Sequence, residues 1–221
     1  MTMRMKKLLS ILAVAATVLL TACDEHQDFP DTAMKVGHIL CTDGKTMSYE
    51  DYQASGKQAI AVVFSINQRE EMEGKGYAVY LWDTAPKAFA DSMGVSQKTS
   101  ADLSAYDGNA NTFALYSAKN VRSPLAMSVV DLWRYGQSAY IPSVAQMHLL
   151  YLAKDAINPL IVKCGGTPIP DEDDDSWYWT STEVEGQETA KAWLYSLGSG
   201  AIQETPKGQP HKARPIITIH D

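Results

Sequence analysis

Long apolar runs, cysteines and basic charge are all scarce in this chain of 221 residues. The run Leu8 to Leu20 spans 13 residues, short of the ~20 that a bilayer crossing needs. Three cysteines are too few for a scaffold built on disulfides. Nineteen Lys and Arg face 26 Asp and Glu, for a formal charge of −7. That balance excludes the basic footprint needed to neutralise nucleic-acid phosphates. There is no Gly-x-Ser-x-Gly elbow and no phosphate-cradling glycine fingerprint, and the Gly198-Ser199-Gly200 stretch reads as a turn. The histidines, His26, His38, His148, His211 and His220, show no pair at metal-ligand spacing. A Ser-His-Asp triad can assemble across a fold, but nothing positive points to catalysis, and the chain reads as non-enzymatic. What is present is a chain 45% hydrophobic and 20% charged, enough to bury a core and too apolar for disorder.

The first residues read as an address. Arg4, Lys6 and Lys7 precede the Leu8–Leu20 run, and Leu20-Thr21-Ala22-Cys23 follows as a bacterial lipobox. Residues 1–22 are therefore expected to be a lipoprotein signal peptide, and Cys23 the lipidated residue. Acylation at its thiol and new amino group anchors the chain to a membrane by more than one buried chain. Cleavage would leave 199 residues and a charge of −10, since the leader holds three basic residues and no acid. Residues 23–34 then form an acidic tether, with Asp24, Glu25 and Asp28 just after the anchor. Acid at that place is similar to signals that send lipoproteins to the surface in some Gram-negative phyla. The expected location is a surface-exposed outer-membrane lipoprotein.

Cys41 and Cys164 remain. Two cysteines in an oxidising compartment can form one bridge, yet both lie in apolar runs that suit buried thiols. A Cys41–Cys164 disulfide and a pair of free thiols both stay open. Neither cysteine has a neighbouring base that would make it catalytic.

Along residues 35–221, strand signals come first. Val36–Cys41, Ala59–Ile66 and Tyr77–Trp82 read as strands, the second apolar enough to be covered on both faces. Helical signals follow. Ala110, Phe113, Ala114 and Ser117 share a helical spacing, as do Ala126, Val129, Val130 and Trp133, with Gly136 as the stop. Ser143 and Gln146 form a capping-box pattern ahead of Met147, Leu150 and Tyr151, and Asn158-Pro159 reads as the cap of a separate turn ending at Gly165-Gly166. Strands return at 176–181, 190–197, 201–204 and 213–219. Strands, helices, then strands predict an α+β domain.

From Tyr178-Trp179-Thr180-Ser181-Thr182-Glu183 onward the chain resembles a known family. Ala192-Trp193, the Gly198 and Gly200 turn, and Lys212-Ala213-Arg214-Pro215-Ile216 complete the series, and Tyr140-Ile141-Pro142-Ser143 with Leu149-Leu150-Tyr151 stand upstream. Together they resemble the Lcl C-terminal-domain family, which is similar to C-type-lectin-like and formylglycine-generating-enzyme-like folds. The resemblance covers roughly residues 101–219, with the strands of 35–100 preceding it in a single domain. It implies a C-type-lectin-like fold of twisted antiparallel sheets with about two to three packed helices. It also implies a loop face of the kind that binds sugars, glycosaminoglycans or proteins in better-understood relatives. The chain lacks the C-terminal cysteine pair of the formylglycine-generating enzymes and the Glu-Pro-Asn and Trp-Asn-Asp calcium motifs of sugar-binding lectins.

These readings predict a non-catalytic binding module whose partner is a glycan or a protein, held by the loops between residues 170 and 212. Trp177, Glu185, Gln187, Tyr195 and His211 are the candidate contacts, polar or amphipathic residues near turns. Trp179 and Trp193 read as core. The alternative function is a structural or accessory subunit of a surface assembly such as a fimbria. No cofactor is expected. Asp171-Glu172-Asp173-Asp174-Asp175 offers hard oxygen ligands for calcium, but it lacks the glycine and alternating spacing of a calcium loop and reads as a solvated run.

Overall fold

The computed structural model describes residues 33–130, 132, 139–172 and 175–220. The predicted leader, Cys23 and nearly all of the tether lie outside the described residues, as do Trp133, Gly136, Asp173 and Asp174. Residues Met34 onward form one compact unit. It is mixed α+β, with antiparallel sheets and four helices among the described residues.

Strands β1 (Ile39–Cys41), β2 (Thr46–Met47), β3 (Ala59–Ile66), β4 (Gly76–Tyr80) and β10 (Ile216–Ile219) form one sheet in the order β10-β4-β3-β1-β2. All its pairings are antiparallel, with Val62 opposite Val79 and Ile216 opposite Val79 on the far side. The central strands are apolar at successive positions because both sheet faces are covered, as expected for Ala59–Ile66. On one face Ile60, Val63, Ala78 and Tyr80 meet Leu125, Val129 and Trp179. On the other Val62, Phe64, Tyr77 and Val79 meet Met147, Leu150, Ile157 and Ile161. The C-terminal strand β10 pairs with β4, so the segment 35–100 and the 101–219 module share a single sheet.

A second sheet comprises β6 (Trp177–Glu183), β7 (Lys191–Ser196) and β8 (Ile202–Pro206), with β6 and β7 largely buried and β8 an exposed edge. Trp179 and Leu194 face the first cluster, and Tyr178 and Tyr195 the second. Strands β5 (Lys87–Ala88) and β9 (Pro210–His211) make a small ribbon.

The helices are α1 (Tyr49–Ser55), α2 (Gly108–Ser117), α3 (Pro124–Val130) and α4 (Val144–Lys163). Helix α1 exceeds the expected two to three. It has no fully buried residue, only Tyr49 and Tyr52 packing partly against the second cluster, and it is held by Ser48 accepting from the Asp51 amide and by a left-handed Gly56. Helix α2 forms where expected but turns a different face inward. Asn111, Thr112 and Leu115 are buried while Phe113 is 71% exposed, because Asn111 accepts the Ser100 amide and Thr112 Oγ1 links Gly108 to Ile141. Helix α4 opens with the predicted capping box, Ser143 with Gln146. It runs through Pro159 without a break, so the separate turn expected at Asn158 is absent. Instead the Asn158 amide clasps Ile169 by donating to its carbonyl and accepting its N–H, at 2.9 and 2.8 Å. Proline inside a helix removes one hydrogen bond, and the burial of Ile157 and Ile161 against the sheet offsets that loss. No helix among the described residues is long and apolar enough to cross a membrane.

Candidate functional site

The five loop-face candidates do not converge. Trp177 is half-buried against the first core cluster. Glu185 stands exposed on the β6–β7 turn. Gln187 donates to Glu204 Oε2 at 3.0 Å, an oxygen it shares with Lys191. His211 sets its ring edge-on to Trp179, centroids 5.4 Å apart, and burial lowers its pKa. Tyr195 lines the cleft described below. Trp179 is core as expected, its Nε1 donating to the Lys87 carbonyl.

Glu183 and Arg214, charged residues of the family-like motif, are held inside the fold. Glu183 and Lys207, both without exposed side-chain surface, form a buried ion pair. Glu183 also accepts the Gln97 amide and the Ser96 hydroxyl, and Lys207 donates to the Glu188 carbonyl. Burial lowers the Lys207 pKa, against the pull of Glu183. Arg214 is equally buried, with Nε and its terminal nitrogens donating to the carbonyls of Tyr80, Leu81 and Thr167 and to Asp83 Oδ1. Buried charge is tolerated when each donor finds an acceptor in this way.

A cleft of about 860 Å³ lies elsewhere. Its walls are the β3–β4 hairpin loop (Arg69, Glu71), the loop before α2 (Asp102 to Asp107), the first turns of α4 (Val144, Ala145, His148, Leu149), and the β7–β8 turn region (Tyr195, Gly200, Ile202). The capping box does more than start α4. Ser143 Oγ donates to the Ala105 carbonyl at 2.7 Å, and Gln146 Oε1 accepts the Gly108 amide at 3.2 Å, which fixes the acidic loop over the helix. Asn109 holds the hairpin loop by donating to the Glu73 carboxylate. At Gly108 a Cβ would stand 2.7 Å from the Ile141 carbonyl, so only glycine permits this approach.

On the α4 side His148, Tyr151 and Tyr195 form a ring cluster, with His148 stacked on Tyr151 at an interplanar angle of 26°. Burial, and Tyr151 beside it, push the Tyr195 pKa up to about 12. The Tyr195 hydroxyl and His148 Nδ1 share a hydrogen bond at 2.9 Å. That leaves Nε2 of exposed His148 as the ring's free nitrogen for a ligand. Gly200, left-handed at φ +78°, lets the β7–β8 turn lie on the Tyr151 ring.

Asp102 and Asp107 differ sharply. Asp102 is exposed and its pKa is lowered by the Ser104 hydroxyl and amide, which it accepts at 2.7 and 2.8 Å. Asp107 is half-buried, and burial raises its pKa against the opposing hydrogen bonds from Ser100 and Asn111. None of Arg69, Glu71, Asp102 and Asp107 takes part in an ion pair among the described residues.

No three metal-ligating side chains cluster among the described residues. Of the acidic run, Asp171 pairs with Lys154 and Asp175 with Lys212. Cys41 is buried and Cys164 half-buried, both as free thiols. Burial raises both pKa values, that of Cys164 to about 11 with a contribution from Cys41.

Of the cleft residues, Leu149 and Gly200 belong to the family-like series and Tyr195 was a loop-face candidate, while the polar residues Arg69, Glu71, Asp102, Asp107 and His148 carried no motif. His148 and Tyr151, one helical turn apart, and the alternation of polar and apolar residues from Ser100 to Asp107 were the available signals. No family model matches the chain, and no curated protein matches it.

Proposed function

We propose that this chain is a lipid-anchored, envelope-facing binding module of C-type-lectin-like fold that recognises a glycan or a protein without making or breaking bonds. The proposed anchor is Cys23, within the lipobox of the leader, and the proposed setting is the outer membrane of a Gram-negative bacterium. The likeness to the Lcl C-terminal-domain family rests on the motif series Tyr178 to Glu183, Ala192-Trp193 and Lys212 to Ile216.

One observation carries the reading: a cleft of about 860 Å³ assembled from four separate segments, walled by rings and lined by unpaired charges. Binding sites combine apolar walls with a few polar groups that fix orientation. Here Leu103, Leu149 and Ile202 supply the apolar wall, and His148 and Asp102 the polar points. The site moves from the 170–212 loops to this cleft, with Tyr195 common to both.

The experiment is a glycan array and a panel of protein ligands probed with the full chain in detergent, beside a His148→Ala/Tyr106→Ala variant. The proposal expects a ligand retained by the parent and lost by the variant. A blank array and panel, or retention by the variant equal to the parent, would overturn it.

A further inference from the structure

Among the described residues, two carboxylates drawn into the fold hold cations: Glu183 holds Lys207, and Asp83 holds Arg214 and Lys212. Asp107 is half-buried in the cleft wall and has no ion pair among the described residues. Its partners are neutral, Asn111 Nδ2 donating at 2.8 Å. Asp102, nearby in the same wall, adds like charge that further raises the Asp107 pKa, and Glu71 brings a third carboxylate. Among the described residues Arg69 is the one lysine or arginine lining the cleft, and there it is exposed and in no ion pair. A half-buried carboxylate without a counter-charge is costly, and the cleft beside it is open.

The remaining walls suit the rest of such a ligand. Tyr106 adjoins Asp107 and presents a half-buried ring, and Leu103 and Ile202 are about 40% exposed. An aliphatic stem lies well on apolar residues while its charged head meets acid, and a ring face adds cation–π attraction.

We propose that the cleft receives a lysine or arginine side chain of a partner protein, its cationic head on Asp107 and Asp102 and its stem along Leu103, Tyr106 and Ile202. This rests on the reading of the cleft as the binding site and narrows the ligand from glycan or protein to a basic protein segment. Three carboxylates against one guanidinium make the complementarity.

The test is a set of blocked peptides, acetyl-Gly-Gly-X-Gly-Gly-amide with X as Lys, Arg, Gln or Glu, titrated into isotopically labelled full chain in detergent. A neutral N-acetylglucosamine tetramer is the parallel arm. The Lys and Arg peptides should shift the resonances of Tyr106, Asp107 and His148, and the Gln and Glu peptides should not. Asp107→Asn should weaken the Lys peptide by roughly tenfold or more, the scale of one charged hydrogen bond. Asp102→Asn, at an exposed position that tolerates change, should weaken it less, and added salt should weaken both. A Gln peptide that binds as tightly as Lys, or an Asp107→Asn variant with unchanged affinity and an intact spectrum, would overturn the inference. If only the saccharide shifts the cleft, the cleft binds but not through a basic side chain. If no probe shifts it, the reading of the cleft falls as well.

Discussion

Two regions of this protein use charge in opposite ways. In the lock formed by Glu183 with Lys207, and in the Arg214 site, the charges are paired and hydrogen-bonded into neighbouring segments, with Glu183, Lys207 and Arg214 buried and Asp83 half-buried. In the cleft, Glu71, Asp102 and Asp107 are grouped and left without cations. The first arrangement joins distant parts of the chain, since Arg214 binds the carbonyls after β4 and Thr167 beyond α4. The second contributes no such link, and its groups stay available. The comparison teaches that charge within the family-like motif is architecture here, and that charge outside any motif forms the candidate site.

The comparison breaks most visibly at the locks. Arg214→Ala should cost about 3–5 kcal/mol, because it orphans buried carbonyls and Asp83 together, as read from urea unfolding midpoints. Lys207→Ala should cost a similar amount by leaving Glu183 buried and unpaired. Adding Glu183→Gln to it should recover part of that loss, which tests whether the penalty lies in the stranded charge. Gly200→Ala comes next, at about 1–3 kcal/mol, since a Cβ there is strained at φ +78° and would stand 2.9 Å from the Tyr151 ring. Tyr195→Phe removes the hydrogen bond to exposed His148 and should cost about 1 kcal/mol.

The smallest effect on stability belongs to Asp107→Asn. The Asp107 pKa in the fold is raised above its ordinary value, so between those two pH values the folded chain binds more protons than the unfolded chain. Its contribution to stability therefore falls as pH rises from the ordinary carboxylate range through the raised folded value. The asparagine variant should lack that fall and be no less stable than the parent at neutral pH. Unfolding curves across the acidic range check the sign.

Much of the fold was legible because it is written locally. Ala59–Ile66 is apolar at every position but one, which suits a strand covered on both faces, and Ser143 with Gln146 announces α4 by a hydrogen-bond pattern only a helix start satisfies. Helix α1 escaped because it is short and has no fully buried residue, only Tyr49 and Tyr52 packing partly against the core. The inward face of α2 escaped because Asn111 and Thr112 are buried through hydrogen bonds rather than apolarity. Pro159 read as a stop, although tertiary burial carries α4 past it. The cleft was hardly legible. Arg69, Asp107 and His148 are distant in sequence and meet only because a capping box clamps one loop and Asn109 another. Trp177, Glu185, Gln187 and His211 were proposed from their nearness to turns, which says nothing of where each turn points.

The most direct measurement sets stability and binding side by side in an Asp102→Asn/Asp107→Asn double variant. The account predicts an unfolding midpoint at neutral pH no lower than the parent's, together with loss of binding to the blocked lysine peptide. A midpoint lowered as far as that of Lys207→Ala, or lysine-peptide binding unchanged from the parent, would contradict it.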